Sequence, residues 1–343
     1  MTVELADVGR DRAPEGVRLP DVYFTAGYGH AAATMDGGSW RISHCEERIL
    51  VPYVVRDIPA GGRDAISPYG YSGVHVDPTC DPVQVGAFWR AALAHWRDAG
   101  LVTMFLRFSP LDPYSVEVVR ELPGVRLSGP RTTVTVPVDR GAPHAWTAME
   151  GRSRTAVRKA ARAGMDAVIR PASTADTVAG SPFRRLYEQT MRRVGSAPGY
   201  LFSDTHYRRL SDGLGKDLLI VEVRGRDGEV VSAALVLRHA DRAHYHLAGS
   251  RPEAAREGAN NLLVWTILEW AADSGCRQVH LGGGVRPDDG LFQFKRSFGG
   301  ERTRYWTGGV VIDPARYDRL LAATGVGPAG AADFFPGYRA GGR

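Results

Sequence analysis

The chain has 343 residues, of which 43% are hydrophobic and 24% charged, as expected for a globular protein long enough to form two domains. No stretch approaches about 18 uninterrupted apolar residues, and the first 21 residues are polar and charged, so we predict a cytoplasmic protein without a membrane span or secretory signal. The formal net charge of +5 permits a polyanionic partner such as RNA or a nucleotide without requiring one.

The three cysteines, Cys45, Cys80 and Cys276, are far apart and form no CxxC pair. This spacing argues against both a zinc site and a disulfide framework, and we expect each cysteine to be buried. Two histidines, His244 and His246, are two residues apart on a predicted strand, but no third ligand has suitable spacing. We therefore predict no metal site.

The first half of the chain has the element order β-β-β-α-β-α-β. Alternating or continuous apolar runs predict strands at 39–45, 48–58, 64–76, 101–109 and 131–138. Helical spacing of apolar residues predicts helices at 82–100 and 113–122.

The second half repeats the same order. Three strands at 217–225, 229–239 and 243–250 are separated by short turns, which predicts an antiparallel meander. A helix follows at 260–275, with Asn260 or Asn261 as its expected N-cap and Gly275 at its end. The remaining predicted elements are a strand at 277–283, a helix at 289–299, a strand at 304–312 and a final helix at 313–324.

Two units of like order indicate a tandem duplication in the α+β class. We place the domains at residues 1–140 and 141–311, with residues 312–343 packing back onto the first domain through Phe334, Phe335 and Tyr338. Two unrelated α+β halves are the alternative.

This layout resembles two tandem copies of the GNAT (acyl-CoA N-acyltransferase) fold, and the tandem pair resembles the FemABX family. The resemblance is sharpest from about residue 150 to 311, where "YHLAGS", "GANNLLVWTILEWAADSGC", "HLGGG" and "FQFKRSFGG" follow one another as in that family. FemABX enzymes transfer an amino acid from aminoacyl-tRNA to an amine. The resemblance therefore implies an amide-forming aminoacyltransferase with aminoacyl-tRNA as co-substrate and no separate cofactor.

The most specific part of the resemblance is the pair Phe294 and Lys295. In the family, the lysine of this block is associated with stabilising the reacting ester, and the resemblance carries that role to Lys295. Lysine is also rare in this chain, because only three of its 43 Lys and Arg residues are lysine. A compact ammonium suits a developing oxyanion, and Phe294 and Phe298 beside it could exclude water. A solvated helix residue is the alternative.

Further substrate-binding candidates lie where the third and fourth strands of the second domain are expected to part. They are His246, Ser250, Gly282 and Gly283, with His280 and Gly284 nearby. Glycines after a strand let backbone amides approach an acyl or phosphate group, although such a run can equally be an ordinary loop. A general base is not evident, and His246 is only a weak candidate.

The basic segment "RSRTAVRKAARAG" suits tRNA. Arg154, Arg158 and Arg162 are spaced i, i+4, i+8 and so share one helix face, with Arg152 and Lys159 beside it. An ordinary solvated basic face is the competing interpretation.

In the first domain, which the resemblance makes the acceptor side, Tyr69 and Tyr71 alternate onto one face of the predicted strand 64–76. They could stack on or hydrogen-bond the acceptor, but aromatic strand residues are more often part of a core. The acceptor could be a peptidoglycan precursor, a small amine or an antibiotic scaffold, and the oligomeric state stays open.

Two other functions compete. An acyl-CoA-dependent N-acyltransferase normally carries Q/R-x-x-G-x-G/A before the helix, whereas this chain has "GSRPEAAREGANNLL", in which Gly258 follows Arg256 by two residues. A non-catalytic RNA-binding duplicate is the second alternative, and the Phe294–Lys295 block disfavours it.

Overall fold

A computed structural model describes residues 6–8, 18–45, 48–324 and 334–340. The chain divides into two compact units, Met1–Arg131 together with Arg304–Arg343, and Thr132–Thr303. Each unit is a mixed, mostly antiparallel sheet with helices on it, which confirms the predicted α+β class.

The strands, in chain order, are β1 (Ala6–Val8), β2 (Ser39–Cys45), β3 (Ile49–Asp57), β4 (Arg63–Ile66), β5 (His75–Val76), β6 (Leu101–Arg107), β7 (Val125–Pro137), β8 (Asp166–Pro171), β9 (Leu218–Arg224), β10 (Val230–His239), β11 (Arg242–Ser250), β12 (Gln278–Gly282) and β13 (Glu301–Val311). The helices are α1 (Ala26–Ala33), α2 (Pro82–Asp98), α3 (Pro113–Arg120), α4 (Ala142–Ala148), α5 (Gly151–Arg162), α6 (Thr174–Thr177), α7 (Pro182–Arg193), α8 (Asp204–Leu214), α9 (Pro252–Arg256), α10 (Ala259–Asp273), α11 (Gly290–Arg296) and α12 (Pro314–Thr324).

In the first unit, β2, β3 and β4 form an antiparallel meander, and β6 then pairs parallel with β4 after the crossover through α2. The residues of β13 that belong to this unit pair antiparallel with β6. Helix α2 begins where the Asp81 side chain accepts a hydrogen bond from the Val83 backbone N–H at 2.7 Å. It buries Phe88, Trp89 and Trp96 against the sheet, and each such side chain contributes roughly 1.5–3 kcal/mol of burial free energy.

The predicted strand at 64–76 is wrong over most of its length. Strand β4 ends at Ile66, and the chain forms a strand again only at β5. The intervening residues form a loop because Pro68 removes a backbone donor and Gly70 and Gly73 have φ of +113° and +61°. Tyr69 and Tyr71 therefore lie in a loop and not on the face of a strand.

The second unit has the same plan. Strands β8, β9, β10 and β11 are antiparallel neighbours, and β12 pairs parallel with β11 after the crossover through α10. The C-terminal residues of β7, Val134 to Pro137, then pair antiparallel with β12. The meander, α10, β12 and α11 all confirm the predicted order of elements.

Helix α10 begins one residue earlier than predicted and is not capped by an asparagine. Its N-cap is Gly258, in the left-handed region at φ +97°. The asparagine side chain of Asn260 instead accepts a hydrogen bond from the Ser232 hydroxyl at 2.9 Å. The apolar side of α10, including Leu263, Ile267 and Leu268, is fully buried in the core of the unit.

Residues 334–340 return to the first unit. The Arg339 guanidinium and the Tyr338 hydroxyl both donate to the carboxylate of Asp64, which is fully buried, at 2.6 Å and 3.1 Å respectively. The Phe335 ring occupies the space that a side chain at Gly309 would need. All three cysteines are buried and none of them forms a disulfide bond. Within the described residues, no helix has the length and apolar character to cross a membrane.

Candidate functional site

Strands β11 and β12 are paired over only part of their length. Arg242, Ala243 and His244 face Gln278, Val279 and His280 in parallel register. Beyond that point an extra residue in β11 creates a bulge opposite β10, between the pairs Val236–Tyr245 and Ala234–Ala248. This bulge begins after Tyr245, the residue that follows the last pair between β11 and β12. Bulges bend a strand and redirect its side chains.

Lys295 lies on α11, the helix that follows β12, and its side chain points into the protein. Only 8% of the residue is exposed, and its ammonium donates a 2.7 Å hydrogen bond to the carbonyl oxygen of Gly283. Burial lowers the pKa of Lys295 to about 8, while the negative charge of Asp289 acts in the opposite direction. At neutral pH the group is therefore still mainly an ammonium, held away from bulk water.

One aromatic ring lies near this ammonium, and two phenylalanines flank Lys295 in the sequence. The ammonium lies 5.8 Å from the centre of the Tyr245 ring, on β11 just before the bulge. Phe294 is partly buried and meets the buried Phe298 edge-on, with ring centres 5.2 Å apart. Because Lys295 itself is buried, little water reaches the ammonium, which strengthens any electrostatic interaction made there.

The glycines after β12 lie directly beside the lysine. Gly282 has φ +74°, and a Cβ placed on it would lie 3.4 Å from the Lys295 Nζ. A Cβ on Gly283 would lie 2.7 Å from the carbonyl oxygen of Thr132. The glycines therefore permit close packing around Lys295, and their role in substrate binding stays a prediction.

Asp289 organises this loop, and sequence reasoning missed it. Its carboxylate accepts hydrogen bonds from the backbone N–H groups of Val285 at 2.7 Å, Arg286 at 2.9 Å and Phe292 at 2.8 Å. Burial acts to raise the pKa of Asp289, but these amides outweigh it and the pKa is lowered. An aspartate one residue before a helix is a recognisable N-cap signal, so the sequence did contain the clue.

The histidine candidates lie in buried surroundings. His244 and His280 face each other with ring centres 5.6 Å apart, and both are buried. His246 is half-buried, and burial together with His206 and His244 lowers its pKa to about 3. A histidine with so low a pKa is neutral at physiological pH and a poor proton acceptor. A role for His246 in hydrogen bonding to a substrate stays a prediction.

Ser250 lies at the end of β11, against α7. Its backbone N–H donates to the Thr190 hydroxyl at 3.1 Å, and its carbonyl accepts a bond from the Arg193 guanidinium at 3.3 Å. These contacts anchor the end of the strand to α7. Substrate binding by Ser250 stays a prediction.

The basic segment is helix α5, and its charged residues differ in their surroundings. Arg158, Lys159 and Arg162 are exposed, as is Arg152, which pairs with Glu150 at 2.8 Å. Arg154 is half-buried, because its guanidinium donates to the carbonyl oxygens of Thr147 and Met149 at the end of α4. The solvent-facing charge of α5 therefore comes from the other four residues.

The junction before α10 is closed. Helix α9 fills part of it, and Gly258 and Ala259 are buried at the start of α10. A Cβ on Gly258 would lie 2.3 Å from the carbonyl oxygen of Ala156 on α5, and Lys159 donates to the carbonyl of Arg256 at 2.9 Å. A packed carbonyl at this position is unfavourable for a pyrophosphate, which needs open backbone amides.

In the first unit, Tyr69 and Tyr71 belong to a group of tyrosines. The Tyr28 hydroxyl donates to the carbonyl of Tyr69 at 2.6 Å, and the Tyr71 ring contacts those of Tyr23 and Tyr305 at 6.0 Å and 5.1 Å between centres. Tyr23 and Tyr28 are buried, whereas the other three are partly exposed. The partly exposed rings can reach a ligand, and the buried rings support them.

Comparisons with known proteins agree with this architecture. Residues 150–296 match the family described as acetyltransferase (GNAT) domain. No curated protein sequence matches the chain.

Several solved structures are similar in fold. FemX is 13% identical, with 87% of this chain and 94% of that chain covered and a TM-score of 0.70. The C-terminal domain of a putative lysylphosphatidylglycerol synthetase from Agrobacterium fabrum is 17% identical, with 84% and 90% covered and a TM-score of 0.54.

A tandem GNAT protein from the clavulanic acid biosynthesis pathway is 15% identical, with 88% and 91% covered and a TM-score of 0.52. These similarities confirm the expected fold of two GNAT-like domains. The fold of the chain thus resembles that of FemX over most of its length, and residues 150–296 match the acetyltransferase (GNAT) domain family.

Proposed function

We propose that the chain is an aminoacyltransferase that moves an amino acid from aminoacyl-tRNA to an amine of a small-molecule or peptide acceptor. The observation that carries this proposal is the buried ammonium of Lys295, held beside the point where β11 and β12 part. We assign the donor to the second unit and the acceptor to the first.

The chemistry needs mainly positioning and charge stabilisation. The neutral acceptor amine attacks the ester carbonyl, whose electron pair moves onto oxygen and forms a tetrahedral oxyanion. Collapse of this intermediate breaks the bond to the ribose oxygen, which takes up a proton as the new amide nitrogen loses one. The Lys295 ammonium has N–H groups beyond the one donated to Gly283 with which to stabilise the oxyanion. The burial of Lys295 strengthens that interaction, because little water is present to screen it.

Two further features support tRNA as the donor. The exposed charge of α5 suits a phosphate backbone. The closed junction before α10 disfavours the pyrophosphate of CoA. The similarity in fold to FemX is in keeping with both.

An acyl-CoA-dependent N-acyltransferase is the second candidate. The match of residues 150–296 to an acetyltransferase domain favours it, as does the fold shared with the tandem GNAT protein. In this case Lys295 would stabilise the oxyanion of a thioester instead of an ester.

A donor competition distinguishes the two candidates. The protein is incubated with a mixture of charged tRNAs, acyl-CoAs and candidate amines, with and without RNase, and the products are identified by mass spectrometry. Amide products that disappear after RNase treatment support the proposal. Products that persist after RNase and require an acyl-CoA would establish the alternative.

A further inference from the structure

The loop Gly283–Asp289 and helix α11 are held together by one carboxylate. Asp289 binds two amides of the loop and one of the helix, as described above. Gly284 lies so close that a Cβ there would be 2.1 Å from the Asp289 Oδ1. The loop is therefore wrapped closely around this side chain.

The same loop supplies the carbonyl oxygen that accepts a hydrogen bond from the lysine. Gly283, immediately before the wrapped segment, provides the carbonyl that receives the Lys295 ammonium at 2.7 Å. Asp289 and Lys295 also belong to the same short segment, as the N-cap and the sixth residue after it. A change at Asp289 is thus expected to affect both the position of the carbonyl and the start of the helix that carries the lysine.

The carboxylate also offsets the cost of burying a cation. Burial disfavours the ammonium of Lys295, and the charge of Asp289 favours it. The Tyr245 ring also faces the ammonium, and burial raises the pKa of its hydroxyl above the ordinary value, so that it stays neutral. The neighbouring Asp288 pairs with Arg302 at 2.8 Å.

We infer that Asp289 is a positioning residue for Lys295: its carboxylate holds the loop whose Gly283 carbonyl receives the ammonium, and it provides a negative charge on the same segment as the lysine. The inference rests on the proposed function for its catalytic meaning, but the effect on Lys295 is a property of the resting protein. Asp289 itself needs no contact with a substrate.

The test uses the scarcity of lysine. Protein labelled with [ε-¹³C]lysine gives three signals, since the chain contains only Lys159, Lys216 and Lys295. The signal of Lys295 is assigned from its absence in Lys295→Met, and its titration is followed by NMR in the wild type, Asp289→Asn and Asp289→Ser. Both replacements can still cap a helix, so the fold is expected to survive the loss of charge.

We expect the Lys295 signal to titrate at lower pH in both Asp289 variants than in the wild type. If the midpoint falls by about one unit, turnover at pH 8 should drop roughly fivefold, with the KM for the donor unchanged. Asp112→Asn is the matched control, because Asp112 caps α3 in the first unit in the same way. It should leave the Lys295 signal in place.

An unchanged midpoint in both Asp289 variants would overturn the inference whatever the activity. A shifted midpoint in a protein that transfers nothing from aminoacyl-tRNA would instead refute the proposed function and leave the link between Asp289 and Lys295 intact.

Discussion

The two units place different groups on the same framework. In each, a meander is followed by a helix, a parallel strand and a short helix capped by an aspartate, Asp112 in the first unit and Asp289 in the second. Six residues after the cap the first unit has Val118, and the second has Lys295. Val118 packs against a core, whereas Lys295 carries a buried charge.

The aspartates have also diverged. Asp112 contacts the ring nitrogen of His75 at 2.6 Å and accepts a bond from the Ser115 hydroxyl at 2.7 Å. Asp289 instead binds the loop that approaches the lysine. The shared order of elements therefore does not by itself provide a buried cation, because only the second unit has a lysine at the sixth position after the aspartate cap. We therefore expect variants of the second unit to affect chemistry and donor binding, and variants of the first to affect the acceptor.

The largest effect is expected at Lys295. Lys295→Met should lower turnover by about 10²-fold or more, since an oxyanion loses its charged partner. Steady-state assays with charged tRNA measure it. Lys216→Met, the same change at an exposed lysine of the same unit, is the control and should be near wild type. Near-normal turnover in Lys295→Met would remove Lys295 from the mechanism.

A smaller effect is expected on α5. The double variant Arg158→Gln/Arg162→Gln should raise the KM for tRNA about tenfold and reduce the slope of log affinity against log salt by roughly 1.5, because two phosphate contacts are lost. Binding measured at several salt concentrations reports both. Arg90→Gln/Arg126→Gln removes the same charge from exposed positions of the first unit and should change neither. Equal effects of the two double variants would mean that only net charge matters.

A change in the first unit should alter only the acceptor. Tyr71→Ala removes a partly exposed ring from the tyrosine group and should raise the acceptor KM by roughly 5-fold while leaving the KM for tRNA unchanged. Initial rates at varied concentrations of each substrate separate the two constants. Tyr114→Ala, a change at a tyrosine that is 40% exposed on α3, is the control. A rise in the tRNA KM alone would reverse the assignment of the units.

The buried charge should also be visible in stability. In the unfolded chain Lys295 has its ordinary pKa, whereas in the fold the pKa is about 8, so the unfolded state binds more protons between these values. Wild-type stability relative to Lys295→Met should therefore rise with pH from about 8 to 10. At pH 7 the Met variant should be the more stable by up to about 3 kcal/mol.

Denaturant unfolding of both proteins at pH 7 and pH 10 measures this difference. A difference in unfolding free energy that does not change with pH would mean that the lysine is not penalised by the fold.

The sequence was sufficient for much of this architecture. The meander and α10 follow from regular apolar spacing and short turns, which act locally. The strand predicted from Ser67 to Val74 is wrong. Its alternating aromatic residues favoured a strand, whereas Pro68 and two glycines with positive φ make the stretch a loop. The apolar spacing does not predict helices α7 and α8, although Ser181 and Ser203 cap them.

The order of elements along the chain does not reveal which sheet strands β7 and β13 join. The C-terminal residues of β7 complete the sheet of the second unit and those of β13 complete the sheet of the first, which depends on long-range pairing. The rarity of lysine and the family resemblance pointed to Lys295, which the structure shows to be buried, and its role stays a prediction. The sequence signals Asp289 as a helix N-cap but not its bonds to the loop amides of Val285 and Arg286, because backbone amides carry no sequence signal of their own.

The most direct test of the role of Lys295 is the pH dependence of transfer by the wild-type protein. The turnover number at saturating substrates is divided by the fraction of acceptor amine that is neutral at each pH, which is known from the acceptor's own titration. If the charged Lys295 stabilises the oxyanion, the corrected rate should be nearly constant up to about pH 7, halve near pH 8 and fall roughly tenfold by pH 9. A corrected rate that stays constant through pH 9, or increases, would show that the ammonium is not the active form.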